Sequence, residues 1–377
     1  MTTSRLCLLG AFLALSHDSE ASNSCSFLNY YPKRYPIYHL HEESIEIDGK
    51  LDDDAWKDVP WTDSFIDIRG TKTWTQPWFK TRVKMRYDDE FLYVAAYMEE
   101  NEIWANMTHR NDIVFTDNDF EIFVDPMGST HYYKEFEMNA INTTWNLLLN
   151  KPYRDNGHEN STRVDPEYGF DLLHYGLKSG VYIKGKPNDP RERLKYWTAE
   201  VALSLKGLVY ATTIQVPPKH LSFWRVNFSR VEYVVQVVDN RYEKIPGFTE
   251  ENWVWSPQGE IAMHMPEKWG YVQFRDSPIP QDVPFVPYDD EWPVRYLAFQ
   301  LYYAQSTFNE KNDYYATTMD ELIPYFDGKE SQQVLDCMSA TWKINKRGYI
   351  ATIKAKNSPY YTGIITENGY LTVATSN

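Results

Sequence analysis

Over most of this chain, apolar residues recur with the two-residue period of a strand; only near its end does a helical period take over. Val83, Met85 and Tyr87 alternate with charged residues between Arg82 and Tyr87. Asp88-Asp89-Glu90 supplies a turn, and Phe91 to Met98 alternates again, so this stretch predicts a β-hairpin. A second hairpin is predicted between Thr116 and Ala140. Its first run places Phe120, Ile122 and Val124 on one face, with Glu121 and Phe123 on the other, before the turn residues Asp125-Pro126-Met127-Gly128. Its return run, Tyr133 to Asn139, offers Phe136 and Met138 to a core and keeps Tyr133, Glu135, Glu137 and Asn139 on the opposite side. That polar side is the candidate site. Further strands are expected at Trp145–Leu149, Val181–Lys184, Tyr196–Leu205 and Val231–Val238, with surface loops over 153–171 and 186–193. Many short strands punctuated by turns predict a mainly β fold, an antiparallel β-sandwich.

The pattern breaks near residues 276–290, where four prolines and no periodicity suggest a stiff linker. Beyond it Val294, Leu297, Ala298, Leu301, Gln305 and Phe308 fall at helical spacing, and Thr318 to Glu321 resembles a capping box. Strands are expected again at 341–344, 349–354 and 361–365, so residues 291–377 predict a small α+β domain. The sandwich is assigned to 41–275, preceded by an extended Tyr- and Pro-rich segment over 23–40. Within it, Ala55-Trp56 is expected to form a helical turn whose indole plugs the sandwich.

Charge narrows the functions available. With 53 acidic against 38 Lys and Arg residues the formal net charge is -15, which would repel a phosphate backbone, so nucleic acid is not an expected partner. Residues 1–22 have the form of a secretory signal, with Arg5 before an apolar run too short to span a membrane. A secreted, extracellular protein with no membrane span is expected. Sequons at Asn106, Asn142, Asn160 and Asn227 fit that compartment as glycosylation sites. Removal of the signal leaves Cys25 and Cys337, two thiols that an oxidising environment invites to pair as a disulfide.

Three ordered motifs carry a family resemblance: IDGKLDDDAW (Ile47 to Trp56), NDFEIFVDP with YYKEFEMNA, and NWVWSPQGEIAMHMPEKWGYVQF (Asn252 to Phe274). Together they resemble the family 9 carbohydrate-binding modules over roughly residues 40–275. The resemblance implies a jelly-roll-like sandwich that binds a polysaccharide or glycan without catalysis, holding a sugar ring between aromatic side chains and its hydroxyls with buried polar groups. It carries an acidic site residue onto Glu121 and an Asn onto Asn139. Glu137 stands where characterised modules have Arg, while Phe115 and Met263 fall near the two stacking Trp positions. Trp253, Trp255 and Trp269 lie close enough in sequence to substitute. The resemblance also implies structural calcium, for which Asp117, Asn118, Asp119 and Asp125 offer hard oxygen ligands.

Glu135 and Glu137, two residues apart on one strand, stand side by side and not across a scissile bond, so they do not form a glycosidase pair. No nucleophile elbow, zinc-protease motif or phosphate loop is present. Two other readings stay open. His264 between Met263 and Met265 is a conceivable haem ligand set of the DOMON-like sandwiches, with a surface turn as the simpler account. A structural extracellular protein without ligand is the third.

Overall fold

A computed structural model of the chain describes residues 25–73, 75–192, 196–280, 285–326, 328, 331–356 and 358–376. The signal expected over 1–22 lies outside the described residues, as do positions 281–284 of the linker. Two compact units are present among the described residues, one within 32–287 and one that joins 25–31 to residues from 288 onward.

The larger unit contains strands β1 (Arg34–His39), β2 (Ile66–Asp67), β3 (Thr81–Tyr87), β4 (Phe91–Glu99), β5 (Asp119–Asp125), β6 (Tyr133–Asn139), β7 (Thr144–Leu149) and β8 (Glu159–Asn160). It continues with β9 (Lys178–Ile183), β10 (Tyr196–Ser204), a one-turn helix α1 (Leu205–Leu208), β11 (Phe223–Glu232), the small ribbon β12 (Val235–Val238) and β13 (Arg241–Lys244), then β14 (Glu251–Val254) and β15 (Gly270–Arg275). Both predicted hairpins form, β3 against β4 and β5 against β6.

The strands do not divide into the two sheets expected of a jelly-roll sandwich. They join in one large, curled, open sheet in the order β8-β7-β6-β5-β11-β15-β1-β3-β4-β10-β9, with β14 and β2 attached beside β11. Nor is it wholly antiparallel. β1 lies parallel to both β15 and β3 and so joins the two halves. It comes from the segment read as an extended lead-in, where Pro36 and the absence of a partner nearby in sequence hide a strand that pairs over long range. Curling lets Phe120, Ile122 and Phe136 share one apolar core with Val94, Val201 and Val226. Each such side chain, once buried, contributes roughly 1.5–3 kcal/mol. Most of strand β11 went unseen in the sequence because one face buries Arg225, Asn227 and Ser229 while Arg230 ends the apolar face of Trp224, Val226 and Phe228, which masks the alternation.

The first family motif proves to be structural. Glu200 of β10 is buried and accepts hydrogen bonds from the Trp56 indole (2.8 Å), Gly49 N–H (2.9 Å) and Asp48 N–H (3.2 Å). Burial pushes its carboxyl up to about 7 in spite of these donors. Gly49 has φ +86°, and a Cβ there would come within 2.4 Å of the Val181 and Tyr182 backbone, so only glycine fits. Trp56 packs with Val59 and Ala95 in a satellite cluster apart from the main core, so the expected plug lies on the other side of the sheet.

In the smaller unit, helix α2 (Trp292–Asn312) covers a four-stranded antiparallel sheet of β16 (Met338–Ile344), β17 (Tyr349–Ala355), β18 (Ser358–Thr366) and β19 (Leu371–Thr375). Short helices α3 (Met319–Leu322) and α4 (Ser331–Cys337) connect them. The predicted stripe is buried throughout, including Gln305, whose amide pairs with both backbone groups of Ala316. Thr318 and Glu321 form the capping box. Cys25 and Cys337 are disulfide-bonded with Cα atoms 5.6 Å apart, and Phe27 stacks on Tyr296 at 4.6 Å.

Candidate functional site

Register decides which side chains share the polar face of the β5–β6 hairpin. Glu121 stands opposite Glu137 and Phe123 opposite Glu135; in the next strands Trp145 faces Glu137 and Ser229 faces Glu121. A row Trp145–Glu137–Glu121–Ser229 therefore crosses four strands on the side away from the main core. Above this row opens a cavity of about 470 Å³, lined by Phe115, Glu121, Phe123, Glu135, Glu137, Trp145, Tyr153, Arg163, Asn252, Met263 and His264 among others. Its size falls within the range of small-ligand sites. Phe115 (41% exposed) and Tyr153 (47%) keep much of their rings in solvent, whereas Trp145 is almost covered. Arg163 lies 5.1 Å over the Trp145 ring and is ion-paired with Glu159.

The electrostatics are unusual. Opposed glutamates repel, and no described Lys or Arg forms an ion pair with Asp119, Glu121 or Glu137. Burial pushes Glu121 up to about 7. Burial, then the Glu121 charge, holds Asp119, Glu135 and Glu137 well above the usual carboxylate range. Asp119 Oδ1 accepts from Val231 N–H (3.2 Å), and Glu137 Oε2 accepts from Phe115 N–H (3.1 Å). Asp119 Oδ2 is buried with no hydrogen-bond partner. One carboxylate oxygen from each of Asp119, Glu121 and Glu137 lies within 4.8 Å of the others, an arrangement able to hold a metal ion. A second cluster, His39, His41 and Asp276, is partly exposed and belongs to another part of the sheet.

Of the residues expected to contact sugar, Phe115, Glu121 and Glu137 come together in the cavity. Trp253 and Trp255 do not. Both are 1% exposed and sit in the main core, because their shared face turns inward. Asn139 is also withdrawn: its amide donates to Met107 C=O (2.8 Å) and Asp117 Oδ2 (3.0 Å), and its oxygen accepts from Ile141 and Thr143 N–H. The proposed calcium set does not converge either. Asp117 holds the Asn106 and Met107 amides, and Asp125 closes its turn by accepting from Met127, Gly128 and Thr130 N–H. Of this set Asp119 alone joins an acidic cluster, with Glu121 and Glu137, for which the sequence also offers a cation-binding role inside the sandwich. Asn227 cannot carry a glycan, since it is fully buried and its amide pairs with both backbone groups of Ser256. Asn106, Asn142 and Asn160 are exposed.

Met263 and His264 are part of the cavity wall, not a surface turn. His264 Nδ1 meets Tyr133 Oη at 2.9 Å, its ring lies 4.6 Å from that of Tyr153, and burial lowers its pKa to about 4. Met265 is buried outside the cavity lining, so the three do not form a converging haem set. Sequence reasoning overlooked Trp145, Tyr153 and Arg163. The alternation of Trp145, Leu147 and Leu149 was the available signal, since it puts that indole in register with Glu137.

Comparison with known proteins bears on the larger unit. Residues 47–168 match the carbohydrate family 9 binding domain-like family, a span that includes both predicted hairpins and Glu121, Glu137 and Trp145. This segment is similar to the family 9-like carbohydrate-binding modules. Modules of this family are characteristically non-catalytic, in keeping with the side-by-side placement of Glu135 and Glu137 in this chain. Among solved structures, a family 9 module from Caldicellulosiruptor kristjanssonii in complex with cellotriose is 16% identical, with a TM-score of 0.41, over 68% of this chain and 100% of that one. A family 9 module of the same organism in complex with glucose gives 16% and 0.40, over 67% and 100%. No curated protein matches the chain. Among the described residues no helix is long and apolar enough to cross a membrane.

Proposed function

We propose that this chain is a secreted, glycosylated carbohydrate-binding protein that seats a saccharide in the cavity above the β5–β6 hairpin. One observation carries the reading. The cavity of the family 9-like module brings the Phe115, Trp145 and Tyr153 rings together with carboxylates and a guanidinium around about 470 Å³ that opens to solvent. Pyranose faces present C–H groups that pack on aromatic rings, and hydroxyls need fixed polar partners to offset lost water. The Cys25–Cys337 disulfide and the exposed sequons at Asn106, Asn142 and Asn160 support an oxidising, extracellular location.

A glycan array probed with the full chain, followed by calorimetry on any hit, tests the reading. Binding should be saturable and weakened about thirtyfold on Trp145→Ala with the melting transition retained. Absence of any glycan ligand, or a hit indifferent to Phe115→Ala and Trp145→Ala alike, would put the function elsewhere. Endoglycosidase treatment of protein secreted from eukaryotic cells should lower its mass through Asn106, Asn142 or Asn160 and never through Asn227.

A further inference from the structure

Asp119, Glu121 and Glu137 form a buried acidic group to which no Lys or Arg is ion-paired among the described residues. Asp119 is 0% exposed, Glu121 5% and Glu137 1%, and they supply oxygens within 4.8 Å of one another. Two oxygens bound to one calcium-sized ion at 2.3–2.6 Å can be at most about 5 Å apart, so the spacing already fits a shared ion. Backbone donors reach only part of the set, Val231 N–H on Asp119 Oδ1 and Phe115 N–H on Glu137 Oε2.

A second observation points to a ligand. Asp119 Oδ2 has no hydrogen-bond partner although wholly buried. Glu135, 4% exposed on the cavity wall, likewise leaves Oε2 without a hydrogen bond, with His264 Nε2 3.9 Å away. Unsatisfied buried acceptors are costly, and a cation satisfies several at once. The one Arg of the lining, Arg163, is already held by Glu159.

We infer that Asp119, Glu121 and Glu137 bind one divalent, oxygen-preferring cation of calcium size at the floor of the cavity, and that hydroxyls of the bound saccharide complete its coordination. Carboxylate oxygens without nitrogen or sulfur select calcium or manganese over zinc and copper. Calcium's tolerance of six to eight oxygens leaves room for ligands from the open side. The second half of this inference rests on the saccharide reading; the first half does not.

Terbium is the probe, because Trp145 lies in register with Glu137 and can sensitise its luminescence. Full-length protein stripped with EDTA should show saturable terbium luminescence excited through tryptophan. Calcium should displace it, and Glu121→Gln/Glu137→Gln should weaken binding at least 100-fold while still melting cooperatively. Asp119→Asn supplies an independent variant if that pair fails to fold. His41→Ala, which removes the second cluster, should change nothing. Absence of saturable terbium and calcium binding, or binding undiminished in the double variant, overturns the site. Glycan affinity measured in calcium and in EDTA then separates the two halves. At least a tenfold loss in EDTA supports coordination by the sugar, whereas equal affinity overturns that coordination. Glycan binding with no cation binding overturns this inference and leaves the saccharide reading intact.

Discussion

Two groups of buried acids lie close together in the larger unit, and they are balanced in opposite ways. Glu100 and Glu232 are sealed around Arg230, which reaches Glu232 Oε2 at 3.0 Å and Glu100 Oε2 at 2.9 Å and spends its remaining donors on Thr81 and Glu99. Asp119, Glu121 and Glu137 have comparable burial, no such partner, and a cavity at their side. A buried carboxylate alone says little about function. What marks a site is buried charge that the fold leaves uncompensated next to an opening.

Removing the compensation should convert the first group into the second. Arg230→Met would leave two acids buried and unpaired, at a cost of about 3–5 kcal/mol, visible in the midpoint of urea unfolding. A loss under about 1 kcal/mol would mean that the sealed group is not held by its guanidinium.

Glu200 is an intermediate case, satisfied by three neutral donors. Its carboxyl is raised from 4.5 to about 7, so the stability it contributes is full below about 4.5 and is lost as pH climbs through 7. Relative to wild type, Glu200→Gln should therefore gain stability across that window, by no more than about 3 kcal/mol at 1.36 per pH unit. A pH-independent difference in melting temperature would argue against the raised pKa.

Truncating Trp145 to Ala should weaken glycan binding about thirtyfold, near 2 kcal/mol, as for other ring anchors. Calorimetry reads this directly. The smallest effect belongs to the acids themselves. In EDTA, Glu137→Gln should stabilise the fold by roughly 0.2–1 kcal/mol, because it relieves like charges placed opposite each other. Destabilisation in EDTA would indicate that the group is already compensated.

Much of this was legible in the chain, and the exceptions have physical causes. Period two separated Phe120, Ile122, Phe136 and Met138 from Glu121, Glu135 and Glu137, and the structure keeps that division. The same rule says that Trp253 and Trp255 share a face but not which way it points, since direction depends on where β11 and β2 lie beside β14. Strand β1 escaped notice because its partners are distant in sequence and parallel. The Asn227 sequon is a local pattern, whereas its burial is a property of the assembled sheet. The family resemblance points to Asn139 as a sugar contact and calcium chemistry to Asp117, yet the Asn139 amide and Asp117 Oδ2 are spent organising the loop around Met107.

Asp125 never reaches the cavity, yet it governs what does. By tying down the N–H groups of Met127, Gly128 and Thr130 it fixes how many residues separate β5 from β6. Adding a single residue there would rotate Phe136 and Met138 toward the ligand and drive two glutamates into hydrocarbon. Variation in this hairpin should thus be tolerated in pairs and refused singly, with one carboxylate at the bend acting as the gauge.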